Sequence, residues 1–107
     1  MNQRKAEKLT KLGYRVTTTQ EFLGLSDEEM SLIELKISLI KKIKQIRGDR
    51  NITQQQLAGL IQSSQSRVAM MERGRPEVSL DLICRALFAL GVSRRELGKA
   101  ILSGKAA

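Results

Sequence analysis

The chain has 107 residues, with nineteen lysines and arginines against eleven aspartates and glutamates, which gives a formal net charge of +8. This length fits one domain with a short extension. The surplus of cations favours a polyanionic partner, although charge alone fits ordinary solubility equally well. Histidine is absent and the single cysteine has no second cysteine to pair with, which argues against metal sites, disulfides and most acid–base catalysis.

The N-terminal residues, 1–25, are expected to be an extension of a domain that covers 26–107. The first eleven residues are basic and have no apolar run behind them, so they do not resemble a secretory signal. They fit either a mobile basic arm or a terminus without a role. The strand propensity of Tyr14 and Val16 adds the expectation of a short strand. Since the single cysteine cannot form an internal disulfide, we expect a protein of the reducing cytoplasm. No stretch is long and apolar enough to span a bilayer.

Five helices are predicted from their start signals. Ser26, Thr53 and Ser93 are each followed three residues later by glutamate or glutamine, which is the capping-box spacing. Ser64 and Ser79 are simpler N-cap candidates. The predicted helices cover 27–48, 54–61, 65–73, 80–90 and 94–103. Glycines that would end helices in the left-handed conformation are Gly48, Gly74 and Gly91. The sequence therefore predicts an all-α fold.

The first predicted helix has two apolar stripes. The stripe expected to face the core consists of Leu32, Leu35, Leu39, Ile43 and Ile46. The second consists of Met30, Ile33, Ile37 and Ile40. Either the N-terminal segment folds back over this second stripe or another protein chain covers it, and the sequence favours neither.

An enzyme is not expected. Cys84 lies in an apolar helical run, where a buried, inert thiol is the default. The acidic cluster of Asp27, Glu28 and Glu29 lies in a helix first turn, where it complements the helix dipole. A glycine-rich phosphate loop is absent from the sequence. We therefore predict no catalytic residues, no cofactor and no bound metal.

The stretch 53–74, TQQQLAGLIQSSQSRVAMMERG, predicts two short helices joined by a tight turn. Such a pair can place its second helix in the major groove of DNA. The residues expected to pack between the two helices are Leu57, Ala58, Ile61, Val68 and Met71. Those left facing outward on the second helix are Gln65, Ser66, Arg67, Ala69 and Met70. Glutamine and arginine are the side chains that make paired hydrogen bonds to adenine and guanine edges.

This pattern resembles the phage-repressor (Cro/C1, or XRE) helix-turn-helix family. The resemblance rests on Thr53-Gln54, then SSQSRVAMMERG, then SLDLICRALFALGVSRREL, and it spans roughly residues 39–101. It implies a compact, lambda-repressor-like domain of five helices, with a structural role for Glu72. The phosphate contacts that it implies are Gln54, Arg73 and Arg75. The base contacts that it implies are Gln65, Ser66, Arg67 and Met70.

Three positions depart from the family pattern, namely Gln62, Met70 and Ser63, which stands where an apolar residue is common. The family usually has glycine in the turn where this chain has Gln62, and a left-handed residue other than glycine costs about 1–2 kcal/mol. Gly59, inside the first motif helix, is unfavourable by up to about 1 kcal/mol. Met70 stands where lysine or arginine is frequent. The turn geometry is therefore expected to be locally altered, and the reading face is less basic than usual.

The segment ahead of the motif, FLGLSDEEMSLIELKISLIKKIK, extends the resemblance over about residues 22–102 to the HigA-type antitoxins. Those proteins repress their own operon as dimers and neutralise a toxin that is typically an mRNA-cleaving enzyme. The function implied is a dimeric transcriptional (auto)repressor that binds double-stranded DNA at a pseudo-palindromic operator, with a small toxin protein as a further partner.

Two other functions remain open, namely a repressor without a toxin and a module with this fold that acts mainly by binding a partner protein. The charge around Gln65 and Arg67 should distinguish a DNA-binding protein from a protein-binding module, because DNA binding needs flanking cations. The dimer surface is also open. Its candidates are Leu82 and Phe88, the helix at 94–103, and the second stripe of the first helix.

Overall fold

A computed structural model describes residues 21–75 and 77–106, with side chains described to Ser103. Its helices are α1 (Asp27–Arg50), α2 (Gln54–Leu60), α3 (Gln65–Glu72), α4 (Leu80–Ala89) and α5 (Arg94–Ala106), and residues 21–23 are also helical. Each of the five begins at its predicted residue. The described residues contain no strand, so the all-α prediction is confirmed. The predicted basic arm and the strand near Tyr14 lie outside the described residues.

The helices begin where hydroxyl side chains cap them. The Ser26 hydroxyl accepts from the Glu29 N–H at 3.1 Å, and the Glu29 carboxylate accepts from the Ser26 N–H at 2.7 Å. The other two predicted capping boxes form in the same way, from Thr53 with Gln56 and from Ser93 with Glu96. The predicted simple caps also form, as the hydroxyls of Ser64 and Ser79 accept from the backbone N–H three residues on.

The first four helices end in the same hydrogen-bonded arrangement. At each end, a residue in the left-handed region lets two backbone N–H groups bond back to carbonyls of the last turn, which is a Schellman motif. The left-handed residues are Asn51 (φ 55°), Gln62 (φ 55°), Gly74 (φ 74°) and Gly91 (φ 89°). The prediction that Gly48 ends α1 is wrong. The last turn of α1 is held further along, because the Arg50 guanidinium donates to the Leu90 carbonyl at 2.8 Å.

Replacing Gln62 with glycine is expected to stabilise the protein by about 1 kcal/mol, since glycine adopts this backbone conformation without the steric penalty. Denaturant unfolding of both proteins measures the difference. Gly91→Ala is the matched control at another left-handed position, and it should be destabilising. An unchanged or lower stability of Gln62→Gly would show that the glutamine conformation at this turn is not strained.

The chain divides into two units between Leu32 and Ile33, and the second unit is Ile33–Ala107. The core of the second unit is built from all five helices and the connection before α4. Its fully buried large side chains are Leu39, Ile43, Leu57, Val68, Met71, Ile83 and Leu87. Cys84 is half-buried beside them, and burial raises the pKa of its thiol above the ordinary value.

The core face of α1 lies between the two predicted stripes. Ile40, predicted for the second stripe, is buried, whereas Ile37 from that stripe is 43% exposed. From the predicted core stripe, Leu35 is half-buried against the core and Leu32 is 44% exposed. The prediction that Leu32 faces the core is wrong, because Leu32 belongs to the first unit and precedes the part of α1 that supplies the core.

No described helix is long and apolar enough to cross a bilayer. Nor do the described residues contain a group of three or more histidine, cysteine, aspartate or glutamate side chains that could hold a metal ion.

Candidate nucleic-acid interface

Helices α2 and α3 pack against each other at a tight turn. The residues predicted to lie between them, Leu57, Ala58, Ile61, Val68 and Met71, are all buried. The small Ala58 is 3% exposed and lets the helices approach closely. Because these residues occupy one side of α3, its opposite side is turned to solvent. The pair therefore presents the N-terminal turn of α3 as a free surface.

The predicted base-reading residues do not share one environment. Gln65, Ser66 and Arg67 are exposed in the first turn of α3, which is the part of a recognition helix that approaches base edges. Met70 is half-buried and packs against the core. The first three thus form the accessible set, and much of the Met70 side chain serves packing.

Behind α3 lies an ion pair between Glu72 and Arg47. The family resemblance implied a structural role for Glu72, but sequence reasoning missed Arg47. Glu72 is only 7% exposed, and its carboxylate accepts two hydrogen bonds from Arg47 of α1, from Nε at 2.6 Å and from Nη2 at 2.6 Å. Such a two-pronged pair fixes both geometry and charge. Arg47 also donates from Nη1 to the Ile52 carbonyl at 2.8 Å, just before α2. One guanidinium therefore connects α1, the start of α2 and the end of α3.

Both members of this pair are charged. Burial acts to raise the pKa of Glu72, but the hydrogen bonds from Arg47 and Gln54 outweigh it and lower that pKa below the ordinary 4.5. The hydrogen bond to Glu72 raises the pKa of Arg47. A structural role for Glu72, implied by the family resemblance, agrees with this position.

The ion pair continues into a chain of hydrogen bonds that reaches the exposed surface. Gln54 Nε2 donates to Glu72 Oε1 at 3.0 Å, and Gln65 Nε2 donates to Gln54 Oε1 at 2.8 Å. An ionised carboxylate only accepts hydrogen bonds, so it fixes which end of the Gln54 amide faces it. The orientation of Gln54 then fixes that of Gln65. The Gln65 amide is thereby held with its oxygen and one N–H free.

The predicted phosphate contacts surround this chain. Arg73 and Arg75 are exposed at the end of α3, and Arg75 pairs with the equally exposed Glu77 at 3.1 Å. Gln54 is half-buried at the start of α2, with its side chain engaged as described. Beside them opens a groove of about 340 Å³ lined by Lys44, Gln54, Ala69, Glu72 and Arg73. Lys44, which sequence reasoning also missed, places a further cation next to the predicted set.

A sequence signal for the two missed residues existed in part. Arg47 stands four residues after Ile43 and so falls on the core-facing side of α1. Glu72 stands beside the core residue Met71 and falls on the core-facing side of α3. Opposite charges at two such positions can be expected to pair, because an unpaired charge there is costly. Lys44 carries no such signal, since exposed lysines are common and only the packing of α1 beside α3 brings it to the groove.

The family of the chain follows from comparison with known proteins. A helix-turn-helix family model matches residues 43–102, more than half of the chain. It matches at the level of the family and does not single out the HigA-type branch. Comparisons with curated proteins and with solved structures give no match. Members of this family are DNA-binding transcription regulators and generally not enzymes. The chain belongs to the Cro/C1-type (XRE) helix-turn-helix family.

Proposed function

We propose that this transcription regulator is a sequence-specific repressor that binds as a dimer to a pseudo-palindromic operator in its own promoter. The observation that carries the proposal is the hydrogen-bond chain from Arg47 through Glu72 and Gln54 to Gln65. It begins at a buried ion pair and ends on an exposed amide. Fixing an exposed side chain in this way lowers the entropy that is lost when the side chain binds a ligand.

The free groups of Gln65 match an adenine edge. Adenine presents an N7 acceptor and an N6 donor in the major groove. The second Nε2 hydrogen of Gln65 can donate to N7 while its Oε1 accepts from N6, without breaking the bond to Gln54. Arg67 is two residues along and suits guanine, and Ser66 suits either purine or pyrimidine. Met70 would add an apolar contact from the part of its side chain that is not packed.

Phosphate contacts are proposed for Gln54, Arg73, Arg75 and, from the structure, Lys44. Phosphate contacts fix the register of a protein on the duplex and supply salt-dependent affinity. The cations beside α3 favour DNA over the alternative of a protein-binding module, because that alternative gives no reason for cations to flank the reading residues.

Replacing Lys44 with glutamine should weaken binding to operator and to random duplex by the same factor. It should also lower the slope of log K against log salt by about 0.9, the value expected for one lost phosphate contact. Titrations of a labelled duplex over a salt series measure both quantities. Lys99→Gln, on α5, removes the same charge and is the control that should leave the slope unchanged. Equal slopes for the two variants would remove Lys44 from the interface.

We place the dimer contact at the end of α4. Of the two candidates on α4, Leu82 near its start is half-buried against the core, whereas Phe88 near its end is 47% exposed. The family tends to have a polar residue at the position of Phe88, so its half-exposed ring is our candidate for the contact between two copies. The operator should then show two half-sites about one helical turn, or a multiple of it, apart. Footprinting of the promoter tests this arrangement.

Replacing Phe88 with serine should convert the dimer to monomers and weaken operator binding, with little change in thermal stability. Sedimentation velocity and thermal unfolding measure the two effects. Leu60→Ser is the matched control, because Leu60 is 55% exposed on α2. A dimer that persists in Phe88→Ser would move the contact elsewhere, to α5 or to α1.

The proposal extends to a toxin partner. Its support is the resemblance of residues 22–102 to HigA-type antitoxins and the apolar strip on α1, where Ile37 is 43% exposed and Ile33 half-buried. Co-expression with the protein encoded by the neighbouring gene tests it. Relief of growth arrest by the wild type, and loss of that relief in Ile37→Glu, would support an antitoxin; a neighbour that leaves growth unaffected when expressed alone would contradict it.

A further inference from the structure

A second groove opens between the middle of α1 and α5. Its volume is about 480 Å³, and its walls carry three lysines, Lys41, Lys42 and Lys99, against one acidic residue, Glu96. Hydrogen-bonding groups from Ser38 and Gln45 of α1 complete much of its lining. The groove lies wholly within the unit formed by residues 33–107. Its size is in the range of pockets that hold a few side chains or a small ligand.

The two lysines that α1 contributes to this groove differ from the three cations of α1 that hold the fold. Lys36 donates to the Val78 carbonyl at 2.8 Å, and Arg47 and Arg50 hold α3 and α4 as described above. Within the part of the chain that the structure describes, Lys41 and Lys42 form neither an ion pair nor a side-chain hydrogen bond. These two cations are therefore not used to hold the fold together.

The acidic residue of the groove is already engaged. Its carboxylate accepts from the Ser93 N–H at 2.9 Å, as part of the capping box of α5. Hydrogen bonds from Ser93, and to a lesser extent the charges of Lys42 and Lys99, lower the pKa of Glu96. Glu96 thus remains ionised and serves the helix start, and the groove keeps a surplus of positive charge.

The groove and the recognition surface lie on different sides of α1. Each helical residue advances by about 100°, which places Ser38, Lys42 and Gln45 roughly 140–180°, and Lys41 about 120°, around the axis from Arg47. Arg47 points to α3 through its bond to Glu72. The part of the groove that Ser38, Lys42 and Gln45 line therefore faces away from α3, and Lys41 lies at the edge nearer to Lys44. An anion bound in that far part is one other than the operator.

We infer that the groove between α1 and α5 binds a short acidic segment of a partner protein. Carboxylates of such a segment would pair with the ammonium groups of Lys41, Lys42 and Lys99, while the hydroxyl and amide groups beside them would bind its backbone. A basic partner would be repelled from this surface. The regulator could then hold DNA at α3 and an acidic partner at α5 at the same time, and the acidic contact does not depend on DNA binding.

A labelled peptide of consecutive glutamates is the probe, with a glutamine peptide of equal length as its neutral control. Anisotropy titrations at low salt should show binding of the glutamate peptide alone. The double variant Lys42→Gln/Lys99→Gln should weaken that binding by about tenfold or more and leave DNA affinity unchanged. The double variant Lys44→Gln/Arg73→Gln, with the same loss of charge, should weaken DNA binding and leave peptide binding unchanged. Added duplex should not displace the peptide from the wild type.

Three titration results would overturn the inference. The first is no binding of the glutamate peptide to the wild type, and the second is displacement of the peptide by duplex. The third result is a loss of DNA affinity in Lys42→Gln/Lys99→Gln equal to that in Lys44→Gln/Arg73→Gln. The last would assign the groove to nucleic acid. Amide chemical-shift mapping on the wild-type protein decides the matter even if a variant fails to fold. Shifts should concentrate in residues 38–45 and 93–103; shifts centred on residues 65–75 would contradict the inference.

Discussion

Replacing Arg47 with alanine should lower the free energy of unfolding by about 3–5 kcal/mol, the usual cost of leaving one member of a buried ion pair without its partner. The Glu72 side chain is 5% exposed and the Arg47 side chain 20%, so water replaces the two lost hydrogen bonds only in part. Denaturant unfolding measures the loss. Removal of the guanidinium should also free the Glu72 and Gln54 side chains to move, so that the Gln65 amide is no longer held in one orientation.

The double variant Arg47→Met/Glu72→Leu separates charge from packing. It removes both charges together, and apolar replacement of a buried ion pair is often close to neutral for stability. We therefore expect it to be more stable than Arg47→Ala but to bind operator weakly, because Gln54 has lost the acceptor that orients it. If Arg47→Ala unfolds like the wild type, the pair does not hold α1 to α3.

The pH dependence of this effect has a definite sign. The folded-state pKa of Glu72 is lowered from 4.5, so the stabilisation is fully present above pH 4.5 and is lost as the pH falls through the lower folded value. In Arg47→Ala, the buried Glu72 carboxylate lacks the guanidinium that stabilises its charge. Protonation of Glu72 at low pH therefore removes part of the destabilisation of the variant. The stability gap between wild type and variant should be widest near neutral pH and narrow in acid. A gap that is constant with pH would contradict the assigned charge state.

Replacing Arg67 with alanine should weaken operator binding by about 1–3 kcal/mol and leave binding to random duplex nearly unchanged, apart from the loss of one positive charge. Arg67 is exposed, and its backbone N–H already bonds the Ser64 hydroxyl at 3.1 Å, so the fold should not change. Titration of both duplexes at one salt concentration gives the discrimination ratio.

Arg67→Lys and Arg73→Ala are the controls for this result. Lysine keeps the charge but not the fork that bonds guanine O6 and N7 together, so Arg67→Lys should lose much of the same discrimination. Arg73→Ala should instead weaken both duplexes and leave the ratio intact. Equal losses on operator and random duplex in Arg67→Ala would mean that Arg67 contacts phosphate and reads no base.

The helix starts and the core of the motif were predictable because they depend on local chemistry. A hydroxyl followed three residues later by glutamate or glutamine satisfies the same backbone groups wherever it occurs, and the apolar spacing of Leu57 and Val68 leaves one way to pack α2 on α3. The end of α1 was wrongly predicted at Gly48, because the left-handed residue that ends this helix is Asn51 and not a glycine. The last turn is also held by Arg50, which donates to the Leu90 carbonyl forty residues away.

The candidate site was predictable as a set of outward residues but not as a network. The spacing identified Gln65 and Arg67 as exposed, and the family resemblance implied Gln54 only as a phosphate contact. That Gln54 links Gln65 to a buried carboxylate depends on the distance between two helices. Met70 was predicted to face outward, yet it packs partly against the core, because a flexible apolar side chain at the margin of a helix can turn inward.

Binding of the purified protein to its own promoter and to a random duplex, across a salt series, tests the proposed function most directly. We expect promoter binding at least about a thousandfold tighter at physiological salt, with a salt slope that corresponds to several phosphate contacts. Weak and equal binding to both duplexes would contradict a sequence-specific repressor that reads DNA with Gln65 and Arg67.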